Sequence, residues 1–120
     1  MSIASIRKQL TAGETTPAAV LEKLAGEIAA KDAVTGAYLS FDLEAALAEA
    51  ADVDLTLPLG GIPIALKDNM NVLGQPCTCG SKLPAENYTA PYDATVKKKL
   101  RAAGAVPFGR MNLDEFAMGS

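Results

Sequence analysis

Two features of this chain have residue types and spacing suited to chemistry. One is a lysine at the end of an apolar run; the other is a pair of thiols one residue apart. The lysine lies in Gly60-Gly61-Ile62-Pro63-Ile64-Ala65-Leu66-Lys67-Asp68-Asn69. A short charge-free run bounded by Gly and Pro is expected to form a strand buried on both faces. Strand alternation puts Ile62, Ile64 and Leu66 on one face and Ala65 and Lys67 on the other. Lys67 then stands where the strand leaves the core. Burial disfavours an ammonium, so a lysine placed there can act as a base. The alternative is a lysine that snorkels to water beside Asp68. The run alone leaves both readings open. Cys77 and Cys79 are too close in sequence for an unstrained disulfide. Without a second pair or a histidine they do not make up a metal set. They are expected to be two thiols in a reducing compartment, packed as small hydrophobes, with no metal site.

Composition narrows the function classes. The chain has 120 residues, 49% hydrophobic and 21% charged, which fits one small globular domain rather than a disordered segment. There is no histidine, so no Ser-His or Cys-His pair can form within these residues. Acid–base work falls to Lys, Asp, Glu, Tyr or Cys. A net charge of -3 argues against a broad nucleic-acid groove. No stretch has the length and apolarity of a transmembrane helix, and Met1 to Arg7 lacks a signal-peptide pattern. The expectation is therefore a cytoplasmic protein with no membrane partner.

The elements that must hold Lys67 follow from periodicity and capping signals. Residues 2–11 predict a helix with Ser2 as cap and Ile3, Ile6 and Leu10 on one side. Thr16-Pro17 opens a second helix, expected to run to about Asp32 with Val20, Leu21, Leu24 and Ile28 as its stripe. Gly26 inside it costs about 1 kcal/mol relative to Ala, so close packing is the expected reason for it. Residues 37–41 predict a strand; Asp42 caps an Ala-rich helix to about Val53. From Asn69 to Pro91 the chain reads as a long irregular loop, punctuated by Gly74, Pro76, Gly80, Pro84, Asn87 and Pro91. Asp93 is expected to cap the last helix, with Val96, Leu100 and Ala103 inward and Lys97, Lys98, Lys99 and Arg101 on a solvated face. Gly104 stops it, and residues 105–109 predict a second strand whose Pro107 marks a start or an edge. This alternation predicts an α/β class with partly parallel strands. Ending on Met-Gly-Ser with no closing element, the chain is expected to be part of something longer.

Three stretches together resemble the amidase signature family: residues 60–69, Ala90-Pro-Tyr-Asp-Ala-Thr-Val96 with 100–105, and Asn112-Leu-Asp-Glu-Phe-Ala-Met-Gly-Ser120. Cys79-Gly80-Ser81 fits the branch of that family that serves tRNA-dependent amidation. The resemblance implies a mixed β-sheet covered by α-helices. Residues 1–120 would be the N-terminal part of one amidase domain, helical over 1–35, with the core strand and pocket loop in 36–120. It also implies a Ser-Ser-Lys triad: one serine attacks an amide carbonyl, a second relays its proton, and a neutral lysine accepts it. Lys67 matches that lysine. Both serines lie beyond Ser120, so these residues alone are expected to be inactive. Met118, Gly119 and Ser120 match the loop lining the amide pocket; otherwise this segment is a surface turn with Phe116 tucked into the core. The implied reaction is glutamine hydrolysis, supplying ammonia to amidate Glu-tRNA(Gln) or Asp-tRNA(Asn) in protein biosynthesis. The implied partners are subunits of the B and C type, glutamine and, indirectly, mischarged tRNA. No cofactor is implied here; ATP and Mg belong to a partner subunit. Two alternatives stand: a small-amide hydrolase of the same family, or a non-catalytic binding or folding module. Arg110-Met111 and Leu113 depart from the family's frequent Lys-Thr and Met.

Overall fold

The computed structural model describes residues 2–85 and 88–119, so Asn87 and Ser120 lie outside the described residues. Helix α1 (Ile3–Thr11) starts on a reciprocal cap: Ser5 N–H donates to the Ser2 hydroxyl and Ser2 N–H donates back to Ser5 Oγ. Such a box satisfies N–H groups that a helix end leaves unpaired. Thr16 caps α2 (Pro17–Thr35), with Pro17 at its first position, where a missing N–H costs nothing. This helix passes the expected end at Asp32. Its true stop is Gly36, left-handed at φ 58°. Asp32 then accepts from Thr35 Oγ1, Ala37 N–H and Tyr38 N–H, and so steers the chain into β1 (Tyr38–Phe41). Asp42 caps α3 (Leu43–Ala51), which ends two residues before the expected Val53.

The last two strands form the frame for Lys67. β2 (Pro63–Lys67) follows the glycine pair. A short helix, α4 (Lys82–Ala85), interrupts the stretch expected to be irregular throughout. Then come α5 (Thr95–Ala102), β3 (Val106–Met111) and a 3₁₀ turn, Glu115–Ala117. The three strands make a mixed sheet in the order β1-β3-β2, with β3 antiparallel to β1 and parallel to β2. The α/β expectation holds, but two details do not. β3 is central rather than an edge. Pro107 is tolerated there because β1 pairs only as far as Gly109, leaving no partner on that side to miss its N–H. β2 is not buried on both faces: it pairs with β3 alone, only Leu66 is buried, and Lys67 is exposed.

Two apolar clusters hold the layers. Leu21, Ala25 and Ile28 of α2 and Ala46 and Ala50 of α3 pack against Val106 and Phe108 of β3. Ile6, Leu10 and Val20 pack against Ile62. Full burial of a residue such as Leu21, Ile62 or Val106 contributes about 1.5–3 kcal/mol. The segment before β2 is sewn onto the end of α5: Leu59 N–H donates to Ala103 O at 2.8 Å and Gly61 N–H to Gly104 O at 3.0 Å. This brings backbone within reach of backbone. A Cβ on Gly104 would sit 2.8 Å from Gly60 Cα, and one on Gly60 would collide with Asp54 O. Arg7 clamps the same corner, donating to Leu55 O at 2.9 Å and Gly60 O at 3.0 Å.

Helix α5 departs from its expected orientation. Lys97 is buried, at 6% exposure, and Val96 is exposed, while Lys98, Lys99 and Arg101 face solvent as expected. Asp93 does not cap the helix. Ala94 holds the cap position, and the Asp93 carboxylate instead accepts from Leu73 N–H and Lys97 Nζ, each at 2.8 Å. An apolar stripe read from three positions misses this orientation, which turns Lys97 inward onto Asp93 and leaves Val96 exposed.

Gly26 is likewise not a packing glycine, since a Cβ there meets nothing within 4 Å. Gly26→Ala is therefore expected to stabilise the protein by about 1 kcal/mol. Gly60→Ala should destabilise it by about 2 kcal/mol or more, because backbone must move. Urea denaturation of the two variants beside the parent chain checks both signs.

Candidate functional site

Lys67 is the last residue of β2, and its side chain makes no hydrogen bond or ion pair among the described residues. Its backbone, by contrast, is pinned. The Lys67 carbonyl accepts from Met70 N–H at 3.0 Å, and the next N–H, that of Asp68, donates to Met111 O at 3.0 Å. Both polar groups of the Lys67–Asp68 peptide are thus engaged.

Asp68 is not the lysine's surface partner that the sequence allowed. It is 2% exposed and its carboxylate turns inward. Oδ1 accepts from Arg110 Nη2 at 2.7 Å and Nε at 3.0 Å; Oδ2 accepts from Thr78 N–H at 2.9 Å and from the Thr78 hydroxyl. A buried carboxylate persists only when paired and hydrogen-bonded, and this one is. The Asp68 carbonyl accepts from Cys79 N–H at 2.9 Å and from the Cys77 thiol at 3.4 Å.

The network continues to the expected pocket loop. Cys79 O accepts from Phe116 N–H at 2.7 Å, and the buried Ser81 donates its hydroxyl to Glu115 Oε1 at 2.6 Å. Gly80 allows the approach: its φ is +69°, and a Cβ would lie 2.7 Å from Leu113 O. Hydrogen bonds therefore run from the residue after Lys67, through 77–81, to the turn at 114–118. Met118 is 84% exposed and Gly119 is exposed, while Ser120 lies outside the described residues. Phe116 is 53% exposed at φ 52°, so it is not tucked into the core. A Cβ on Gly119 would meet only the Asp114 carboxylate, the end of an exposed side chain that can swing aside.

A cleft of about 410 Å³ opens on the Asp68 side of the sheet, among Leu39, Phe41, Leu66, Phe108, Lys97 and Arg110. Lys67 does not line it, as alternation sends the Lys67 side chain to the opposite face. Cys77 is buried and Cys79 half-buried, both as free thiols; burial, then the neighbouring Cys79, pushes the Cys77 thiol up. Among the described residues no three Cys, Asp or Glu side chains gather as a metal site.

Sequence reasoning singled out Lys67 and the 114–120 segment as candidates, and did not identify Arg110, Thr78, Ser81 and Glu115 as members of the hydrogen-bond network that links the two regions. The signal for Arg110 was present: it follows Val106 and Phe108 at alternate positions, on the buried face of β3. No local pattern marks the partners of Thr78 or Ser81, which are distant in sequence.

The amidase family pattern matches residues 19–120. This chain belongs to the amidase family. Among its relatives, the glutamyl-tRNA(Gln) amidotransferase A subunit of Akkermansia muciniphila is 52% identical over 99% of this chain and 25% of its own length. The protein of the same name from Methylacidiphilum infernorum is 48% identical over all of this chain and 24% of its own. The chain thus spans about a quarter of the length of these relatives. Among solved structures, native peptide amidase from Stenotrophomonas maltophilia superposes with a TM-score of 0.85 at 32% identity, over 97% of this chain and 25% of that one. No described helix of this amidase-family chain is long and apolar enough to cross a membrane.

Acid should loosen the loop that joins β2 to α5. The Lys97 hydrogen bond, then that of Leu73 N–H, holds the Asp93 carboxyl below the usual carboxylate range. A depressed folded value contributes stability that is fully present above the unfolded value, about pH 4. That contribution is lost as pH falls through the lower folded value. Stability measured by urea midpoint is expected to drop below about pH 4, and Asp93→Asn should flatten that part of the drop.

Proposed function

We propose that Lys67 is the proton acceptor of an amide-hydrolysing Ser-Ser-Lys site, and that the complete protein releases ammonia from glutamine for tRNA-dependent amidation. The observation that carries this is the amidase match over residues 19–120, which takes in a lysine rooted in a doubly hydrogen-bonded peptide at a strand end. In the proposed reaction a serine oxygen attacks the glutamine amide carbon. Its proton passes through the second serine to neutral Lys67. The tetrahedral oxyanion collapses, the C–N bond breaks, and the nitrogen leaves as ammonia with the returned proton. Water then releases glutamate from the acyl-serine. A lysine must be desolvated to stay neutral at working pH. Lys67 is exposed in these residues, so the proposal assigns that desolvation to the three quarters of the domain that they do not span.

The similarity to the amidotransferase proteins of Akkermansia muciniphila and Methylacidiphilum infernorum supports the tRNA-linked reading. On that reading the protein works in the cytoplasm with subunits of the B and C type, and a partner subunit holds ATP and Mg. The likeness to a peptide amidase favours a second reading, a small-amide hydrolase. Assaying the complete chain on glutamine and on simple C-terminal amides separates the two.

Lys67 itself gives the sharper test. In a full-length chain carrying these residues, Lys67→Ala should lower glutaminase turnover by at least about 10³-fold, as loss of one member of a cooperative triad does. Lys67→Arg should fail equally, because a guanidinium stays protonated. Near-parent turnover in Lys67→Arg would refute the proton-acceptor role. Residues 1–120 alone, with one triad member of three, should show no glutaminase activity above a Lys67→Ala control.

A further inference from the structure

The residue after Lys67 is held more tightly than a strand end needs. Asp68 uses its N–H, its carbonyl and both carboxylate oxygens, and every one of these bonds reaches a different part of the chain from β2 itself: Met111, Cys79, Cys77, Arg110 and Thr78. The Asp68 side chain is 3% exposed, and Arg110, at 8% side-chain exposure, nearly matches it in burial. Lys67 is the reverse, a long side chain with no partner among the described residues on a root that cannot turn. A flexible lysine reaches a repeatable point only if its Cα–Cβ direction is fixed, and that direction is set by the peptide planes on either side. We infer that Asp68 is a positioning residue for Lys67: its ion pair with Arg110 and its bonds to Thr78 lock the Lys67–Asp68 peptide and so aim the lysine.

This rests on Lys67 being the proton acceptor. Its physical content is separable, because the Asp68 carboxylate is engaged by Arg110 and Thr78 and not by the lysine. A pure folding role would make stability and turnover fall together. An aiming role makes turnover fall in a protein that is still folded and still binds substrate, since small misplacements of a reacting group cost rate.

The test uses a full-length amidase chain carrying these residues, with glutamine as substrate and a thermal melt recorded for every variant. Asp68→Asn keeps shape but removes the charge that holds Arg110. Arg110→Met removes the partner, and Arg110→Lys keeps a cation opposite Asp68. The expected result is a fall in kcat of about 10²-fold in Asp68→Asn and Arg110→Met with KM little changed, and near-parent kcat in Arg110→Lys. Parent-like kcat in folded Asp68→Asn would overturn the inference. Should Asp68→Asn not fold, the two Arg110 variants decide: a loss of kcat that tracks the loss of melting temperature in both would overturn it equally. Glutaminase activity surviving Lys67→Ala would remove the proposed function itself, and is thereby told apart from failure of this inference alone.

Discussion

The Asp68–Arg110 ion pair sets the terms for this end of the molecule. Two opposite charges are taken out of water where β2 and β3 end side by side. Such a pair is tolerable only when the carboxylate's remaining lone pairs are satisfied, and Thr78 supplies that from a loop ten residues on. The consequence is structural. A loop with little regular periodicity acquires a fixed course, because its backbone must bring Thr78 and Cys79 to Asp68. The turn at 114–118 is then fixed as well, through Cys79 and Ser81.

A second constraint acts at the opposite end of the same strands. Gly60 and Gly104 let two backbones approach more closely than any Cβ would permit. Leu59 and Gly61 can then hydrogen-bond to the end of α5, and Val106 N–H reaches Ile62 O at 2.8 Å. These bonds start β2 and β3 side by side, with Pro63 and Ile64 opposite Val106 and Pro107; an irregularity between Ile64 and Ala65 then shifts the register by one residue, so that Lys67 stands opposite Met111. The parallel pair that presents the lysine is thus held at both ends by different physics: steric permission at one and charge pairing at the other.

β2 is a half-buried edge strand of the sheet. One edge of β2 is unpaired among the described residues, and Leu39 and Phe41 stand half-exposed beside a cleft. The core beneath is made of Ala, Leu, Val and Ile with Phe108, whose ring lies 5.5 Å from that of the half-exposed Phe41. In relatives four times as long, the same elements are a minor share of the domain.

By itself the sequence determined most of the local elements and singled out Lys67 as the candidate for chemistry. Ser2, Thr16 and Asp42 announced three helix starts through side chains that accept from N–H groups three residues ahead, an interaction that needs no distant partner. Gly104 announced a stop, and the glycine-bounded apolar run announced a strand ending on Lys67. Tertiary structure alone decided which charges are buried. Asp93 and Lys97 stand one turn apart and pair locally, but packing decides that the pair is buried, with Leu73 N–H, 20 residues away, donating to the same carboxylate. Asp68 stands beside Lys67 in sequence, yet alternation sends its side chain the other way, to an arginine 42 residues distant. Pairing across such separations depends on strand order and register. Those emerge from packing of the whole chain, and no window of neighbouring residues contains them.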